Sequence, residues 1–263
     1  LLEEFLKKHK DNDFSKIKKR TIEKEVSELL DLYVEKHLGG KEGKTQRFLY
    51  LYYRVKRTAV AIMERLVEEF AQSMFKPSDF ELNIGDDIPS YKLKVSDEIS
   101  VTIRGSVDRV DIMEHNGKKY IRVVDYKTGT KKYSLSDVLY GINLQMLIYM
   151  SAINSGGEKY FDSEISPAGV LYTPAVSPTV NVGSKGLNSA IADSNKDKKM
   201  HGIILDDTDV IKGMERDALG VYIPVSIKGD TIVDKSGSLV TLQEFGALFS
   251  QVDKAISQMA TCL

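Results

Sequence analysis

The dipeptide Asn116-Gly117 constrains this chain more than any other feature, because it predicts a two-residue turn between two antiparallel strands. With these two residues as the loop, the numbers of any two facing residues sum to 233. Ile112 then faces Ile121 and Val110 faces Val123, and such apolar cross-strand pairs stabilise a hairpin. The sequence therefore predicts both the hairpin and its register.

Two acidic residues and a lysine fall on one face of this hairpin. The same count places Asp108 opposite Asp125 and Ser106 opposite Lys127, and side chains alternate faces along a strand. Facing carboxylates repel each other, but their Cβ atoms lie about 4.5–5.5 Å apart, so one Mg²⁺ with oxygens at about 2.0–2.1 Å could bridge them. We expect Asp108, Asp125 and the main-chain carbonyl oxygen of Tyr126 to bind the metal. Lys127 would lie beside it to orient water or stabilise the transition state.

An ordinary explanation also exists for these residues. The hairpin could lie on the surface with two solvated aspartates, and Lys127 could merely neutralise them. The neighbouring residues on the same face are apolar, however, and carboxylates at the end of an apolar face are costly unless they are paired or bind a metal. The residues therefore favour a metal site.

Composition excludes several classes of protein. The 263 residues contain 37 Lys and Arg against 38 Asp and Glu, a net charge of −1, which argues against a free-standing, strongly basic DNA binder but allows a local basic groove. The hydrophobic fraction of 42% suffices for a globular core. The single Cys262 excludes an internal disulfide framework and fits a cytoplasmic protein. No apolar run reaches the roughly 18 residues of a membrane span, so no membrane partner is expected.

Hydrophobic periodicity predicts helices before and after the hairpin. The predicted helices cover 1–38, closed by Gly39-Gly40, then about 45–74 and about 135–154. Predicted strands cover 80–84, 99–114, 118–127, 168–173 and 203–205. The C-terminal part adds a helix capped by Asp206 or Asp207, an extended segment around 222–227 and a final amphipathic helix. This order predicts an α/β sandwich with four parts: helices in 1–76, a core in 77–173, a flexible connection in 174–200, and an extension in 201–263.

One helix carries polar side chains where a plain core helix would not. Gln145 and Tyr149 are four residues apart and so share a helix face. They are either part of the functional site or ordinary residues at the boundary of the core, and the helical pattern by itself favours neither.

Three segments together resemble the RecB-type branch of the PD-(D/E)XK nucleases: GSVDRVD, VVDYKTG and QMLIYM. The resemblance assigns the first acid to Asp108, the second to Asp125, the lysine to Lys127, and the Q-x-x-x-Y helix to Gln145 and Tyr149. Longer stretches on both sides are similar to the nuclease domains of the B subunits of bacterial AddAB helicase–nucleases. The fold implied is a restriction-endonuclease-like α/β/α core with a mixed sheet, N-terminal helices and an α+β C-terminal extension.

The resemblance implies a Mg²⁺-dependent exonuclease, with Mn²⁺ as a possible substitute. It would hydrolyse single-stranded DNA produced by a helicase during double-strand-break end resection and recombinational repair, with an AddA-type helicase–nuclease subunit as its partner. A catalytically inactive nuclease-fold module that guides DNA or docks the helicase subunit is the alternative. A stand-alone RecB-like exonuclease is a third possibility.

Two departures from the family bear on activity. RecB-type nucleases place a histidine ligand shortly before a sequence like LLEEF, which here begins at Leu1, and His9 lies too far along to replace it. Relatives also commonly hold an iron–sulfur cluster with four cysteines, whereas this chain has only Cys262. We therefore expect a fragment of a longer protein, without a cluster in this chain and with weak or no activity on its own.

Overall fold

The structure, a computed structural model, describes residues 1–127, 129, 143–175 and 199–262. The described residues form two compact units. The first contains Leu1–Gln72, and the second contains Ser73–Pro174 together with the described residues from 199 onward. The predicted start of a helix near 135 and most of the predicted connection 174–200 lie outside the described residues, so both remain predictions.

The first unit consists of helices. They are α1 (Leu2–His9), a short 3₁₀ turn (Phe14–Lys16), α2 (Lys19–Leu38) and α3 (Gln46–Gln72). The predicted helical segment 1–38 is thus interrupted, because the Asp13 side chain accepts a hydrogen bond from Ser15 N at 3.0 Å and caps the 3₁₀ turn. Gly39 ends α2 with a φ of 70°, as the sequence predicts. Leu30, Val34 and Tyr52 form a small buried cluster between α2 and α3.

The second unit is built on a six-stranded mixed sheet. Its strands are β1 (Lys76–Ile84), β4 (Gly105–His115), β5 (Lys118–Lys127), β6 (Ile165–Pro174), β7 (His201–Leu205) and β10 (Leu239–Val240), in that spatial order. Strand β4 is antiparallel to β1 and β5, β5 is parallel to β6, β7 is antiparallel to β6, and β10 is parallel to β7. This arrangement confirms the predicted α/β class and mixed sheet.

The predicted hairpin is present with its predicted register. Backbone pairs run from His115–Lys118 to Arg109–Val124, so facing residue numbers sum to 233. Asn116 and Gly117 have φ values of 51° and 76°, as a type I′ turn requires at both central positions. The facing residues Val110 and Val123 are fully buried. The turn residues and the apolar pairs thus support the same register. Strand β5 lies in the interior of the sheet, between β4 and β6.

Four described helices accompany the sheet. They are α4 (Gln145–Gly156), α5 (Glu158–Phe161), α6 (Thr208–Met214) and α7 (Leu242–Thr261). The Asp207 side chain caps α6 by accepting hydrogen bonds from two backbone amides. This confirms the predicted cap and shows that Asp207, rather than Asp206, provides it. Thr241 and Glu244 form a capping box at the start of α7. No helix of the described residues is long and apolar enough to cross a membrane.

Short strands account for the main errors of the sequence-based assignment. The single strand predicted for 99–114 is two strands, since β3 (Ser100–Ile103) pairs with β2 (Tyr91–Lys94) in a separate hairpin. The strand predicted for 80–84 begins earlier, at Lys76, and contains Pro77 beside an irregularity in its pairing with β4. A third hairpin, β8 (Val225–Lys228) with β9 (Thr231–Asp234), replaces the simple extended segment. Four-residue strands are too short for periodicity to reveal them.

Candidate active site

The two predicted acids lie at the end of the central hairpin, where β4 begins and β5 ends. Asp125 is 8% exposed, whereas Asp108 is exposed to solvent. Asp108 Oδ2 accepts a hydrogen bond from the main-chain N–H of Tyr126 at 3.3 Å. The carboxylate on β4 therefore reaches the backbone of β5 immediately after Asp125.

The same hydrogen bond indicates where the main-chain oxygen of Tyr126 points. In an antiparallel ladder the N–H and C=O of one residue point to the same neighbouring strand. Because the Tyr126 N–H points to Asp108, the Tyr126 carbonyl also faces the β4 side. We therefore expect the third oxygen predicted from the sequence on the edge of β5 that faces Asp108.

A contact on the face of the hairpin opposite the two acids shows which side chains point to which face at this end. The hydroxyl of Tyr126 accepts a hydrogen bond from Arg109 Nη1 at 2.7 Å. Tyr126 and Arg109 therefore share one face of the sheet. Their neighbours Asp125, Lys127 and Asp108 point to the other face.

Lys127 forms an ion pair with the buried acid. Its Nζ lies 2.7 Å from Asp125 Oδ2, with the lysine side chain 46% exposed and the aspartate side chain 11% exposed. Burial raises the pKa of Asp125, the hydrogen bond with Lys127 lowers it, and the negative charge of Asp108 raises it further, with a net increase. Asp108 and Asp125 are thus close enough to repel each other, a situation that a bound cation would relieve.

The donor set fits a hard divalent cation with few protein ligands. Asp108, Asp125 and the Tyr126 carbonyl offer only oxygen atoms, which Mg²⁺ prefers, and Mg²⁺ commonly keeps several waters. Within the described residues, no group of three or more His, Cys, Asp or Glu side chains is arranged to hold a metal. A metal here would therefore depend on the two carboxylates, the carbonyl and water.

Tyr172 is a neighbour of the lysine that sequence reasoning missed. The Nζ of Lys127 lies over its ring, 5.4 Å from the ring centre, at a distance typical of a cation–π contact. Tyr172 comes from β6 and pairs with Asp125 in the parallel register of β5 and β6. The only possible signal was a tyrosine in a predicted strand, because a parallel register cannot be counted from a turn.

The polar helix pair lies beside the first residue of β4. Gln145 Nε2 donates to the hydroxyl of Tyr149 at 3.0 Å, and Gln145 is exposed. The Tyr149 ring packs so closely on Gly105 that a Cβ atom there would lie 2.7 Å from the hydroxyl oxygen. Gly105 is three residues before Asp108, so the structure brings the helix pair to the same end of β4 as the acids. The catalytic roles of these residues stay predictions.

A buried charged group lies on the reverse face of the hairpin. Asp111 Oδ2 accepts a hydrogen bond from Arg122 Nε at 2.8 Å, and Asp111 Oδ1 forms an ion pair with Arg109 Nε at 3.0 Å; all three side chains are fully buried. The hairpin count of 233 also places Asp111 opposite Arg122, and the structure confirms this pair, whereas the contact with Arg109 was not anticipated. Through Arg109 this group also holds Tyr126, the residue between the buried acid and the lysine.

Backbone distortion occurs next to the exposed acid. Glu81 on β1 stands opposite Asp108, between the pairs Phe80–Arg109 and Leu82–Val107. Its φ of 54° lies in the left-handed region, which few residues other than glycine adopt. Strained backbone of this kind is often found near functional sites, and hydrophobic periodicity carries no sign of it.

His9 has structural partners in the first unit. Its Nε2 lies 2.7 Å from a Glu25 carboxylate oxygen, and its Nδ1 lies 2.9 Å from the Asn12 side-chain amide. Both ring nitrogens are therefore engaged by side chains of the first unit.

Comparison with known proteins identifies the family. The model of the PD-(D/E)XK nuclease superfamily matches residues 1–252. Among relatives named as the B subunit of an ATP-dependent helicase/deoxyribonuclease, that of Clostridium acetobutylicum is 31% identical over 93% of this chain and 22% of its own length. The relative from Clostridioides difficile is 30% identical over 92% of this chain and 22% of its own length. The relative from Clostridium novyi is 34% identical over 87% of this chain and 20% of its own length. The chain thus spans about a fifth of the length of these relatives.

The fold and the family match agree. The chain has a mixed sheet flanked by helices, as in restriction-endonuclease-like folds, and the family model matches almost its whole length. The chain therefore belongs to the PD-(D/E)XK nuclease superfamily.

Proposed function

We propose that this chain is a metal-dependent DNA nuclease domain that hydrolyses phosphodiester bonds in single-stranded DNA. The observation that carries the proposal is the arrangement at the end of the hairpin. Asp125 is buried against Lys127 at 2.7 Å, and the charge of Asp108 acts on it from the neighbouring strand. Two acids on one face can hold a metal ion that assists hydrolysis, and the lysine adds a positive charge beside it.

Asp108, Asp125 and the main-chain oxygen of Tyr126 would hold Mg²⁺, or Mn²⁺ in its place. When bound, such an ion lowers the pKa of a water molecule and polarises a phosphoryl oxygen. Burial is the main cause of the raised pKa of Asp125, and the negative charge of Asp108 adds to it; a bound cation would offset both effects.

Lys127 would provide a positively charged donor at the scissile phosphate. Its side chain is 46% exposed, so the ammonium group can reach an incoming phosphate while Asp125 and the Tyr172 ring limit its movement. The positively charged lysine at this position would either orient the attacking water or stabilise negative charge on the phosphoryl oxygens. Gln145 and Tyr149 would bind the DNA backbone from the helix beside β4.

The names of the relatives support a role in a larger protein assembly. Their name, the B subunit of an ATP-dependent helicase/deoxyribonuclease, describes one component of an assembly with helicase and DNA-cleaving activities. By analogy, the domain would act as an exonuclease on strands unwound by an AddA-type partner during double-strand-break resection and recombinational repair. The strand would then be delivered rather than captured from bulk solution.

Cleavage and metal binding, measured separately, test this function. The chain would be incubated with end-labelled single-stranded DNA and Mg²⁺ or Mn²⁺, beside Asp125→Ala, Lys127→Ala and the control Lys92→Ala, which changes an exposed lysine of β2. We expect metal-dependent cutting that both site variants lose and the control retains. Calorimetry should show weaker Mn²⁺ binding for Asp125→Ala only.

The alternative is an inactive module that guides DNA or docks the helicase subunit. It predicts a folded chain that fails to cut DNA even when the AddA-type partner is present. Equal cutting by the chain and by Lys127→Ala would also contradict the proposed role of the lysine.

A further inference from the structure

A basic and aromatic surface runs along the first half of α3, in the helical unit rather than at the predicted acids. Arg47, Tyr50, Tyr53, Arg54 and Arg57 are all exposed, and Tyr50 and Tyr53 retain 62% and 56% of their possible accessible area. At 3.6 residues per turn these five side chains fall within about 120° of the helix circumference. We call them the α3 stripe.

The charge of the α3 stripe is not compensated locally. From Gly43 to Met63 the sequence contains no Asp or Glu. The next acid, Glu64, is paired with Lys19 at 3.3 Å. Counting only described residues, none forms an ion pair with the three arginines of the stripe. This surface therefore favours a negatively charged occupant.

The exposed tyrosines indicate which kind of anion fits. Arginines bind phosphates, and aromatic rings stack on unpaired bases whatever their sequence. From Arg47 to Arg57 the stripe is ~15 Å long at 1.5 Å per residue, which is enough to contact more than one nucleotide of a bound strand. An apolar protein partner would bury three arginine charges without compensation, at a high energetic cost. Double-stranded DNA would leave the tyrosine rings without bases to stack on.

We propose that the α3 stripe is a binding surface for single-stranded DNA, with its arginines on phosphates and its tyrosines stacked on bases. The proposal rests on the proposed function, since it adds a contact for the same substrate. It concerns binding, however, and does not require the metal or the acids. The α3 stripe proposal and the proposed nuclease function can therefore fail independently.

The test is fluorescence anisotropy with a labelled oligodeoxythymidine of about 16 nucleotides, the upper end of known site sizes. EDTA is present so that no cleavage occurs. We expect the double variant Arg54→Glu and Arg57→Glu to bind at least 10-fold more weakly. Its plot of log affinity against log salt should be shallower by about 1.4, because each lost phosphate contact on a single strand removes about 0.7.

A matched control changes the same charge on α2. Arg20 and Lys36 are both exposed there, and the variant Arg20→Glu with Lys36→Glu should bind almost as well as the unaltered chain. An equal loss in both double variants would mean that only total charge matters, and it would overturn the proposal. Unchanged affinity in the α3 variant would also overturn it, and would leave this face to a protein partner.

A second pair of variants tests stacking. Tyr50→Ala should lose about 5-fold or more in affinity with no change in the salt dependence, because stacking a base on an aromatic ring is not ionic. Tyr50→Phe keeps the ring and should bind like the unaltered chain. Equal affinity in Tyr50→Ala would refute the role of the ring. If all the binding results hold but the chain never cuts DNA with metal, the stripe stands and the proposed nuclease function falls.

Discussion

The ring of Tyr149 packs directly on Gly105, and a methyl group at that position would come within 2.7 Å of the phenolic oxygen. Since the φ of Gly105 is not positive, alanine could adopt the backbone conformation, and only the ring stands in its way. Gly105→Ala should therefore displace Tyr149 and with it Gln145. We expect a loss of about 1–3 kcal/mol in unfolding free energy, the usual cost of overpacking, together with at least a 10-fold loss of cleavage.

A matched glycine gives the control for this prediction. Gly246 lies in α7 with open space around the position of its missing Cβ atom, so Gly246→Ala should gain about 0.4–1 kcal/mol and keep its cleavage rate. Urea unfolding and the cleavage assay measure both effects. Full activity in Gly105→Ala would show that the position of Tyr149 does not matter for cutting.

Tyr172 should act as a positioning residue for Lys127. Its ring lies under the lysine Nζ at 5.4 Å, a contact worth about 0.5–1 kcal/mol at an exposed site. We expect Tyr172→Leu to lower kcat about 2- to 5-fold with little change in KM, because the lysine becomes less ordered. Tyr172→Phe retains the ring and should restore the rate. If Tyr172→Phe is as slow as Tyr172→Leu, the hydroxyl rather than the ring is responsible.

Asp111 should contribute strongly to stability because its removal leaves two buried guanidinium groups without their shared carboxylate. We expect Asp111→Ala to lower the unfolding free energy by about 3–5 kcal/mol, the typical cost of breaking a buried ion pair. The surface pair Lys24–Glu28 is exposed, so Glu28→Ala should cost less than about 0.5 kcal/mol. Similar midpoints for the two variants in urea would contradict this difference.

The pH dependence of stability should include a contribution from Tyr160. Tyr160 is 42% exposed, and partial burial of its hydroxyl raises the pKa of this group to about 12, helped by its hydrogen bond to Asp79 Oδ1 at 2.7 Å and by the charge of Asp79. The unfolded value is about 10, so the unfolded chain loses this proton first. The stabilisation is complete below about pH 10 and is lost as pH rises towards 12. In Tyr160→Phe, denaturant unfolding between these pH values should show a smaller decline.

Local signals in the sequence predicted the hairpin and its register well. The Asn-Gly turn defines the pairing by counting, and the paired apolar residues confirm the count. The same count led to Asp108, Asp125 and Lys127, because contacts within a hairpin depend only on the turn. The Q-x-x-x-Y helix could be placed only through the family resemblance, since its contact with Gly105 spans about forty residues of sequence.

Contacts between distant strands could not be predicted in this way. The position of Tyr172 beside Lys127 depends on the parallel pairing of β5 with β6, and a parallel register is set by packing rather than by a turn. Arg109 was not anticipated as a partner of Asp111, because the two are two residues apart on one strand and no pairing rule joins them. The left-handed backbone of Glu81 likewise has no signature in its residue type.

The order of strands in the sheet has a consequence for synthesis. Strand β6 carries the fully buried Val170 and Leu171, and it is covered on its far side by β7, whose residues come about thirty positions later. A growing chain that has reached β6 but not β7 would therefore expose an apolar strand edge, which readily pairs with other chains. A chain truncated within this interval would therefore be prone to aggregate.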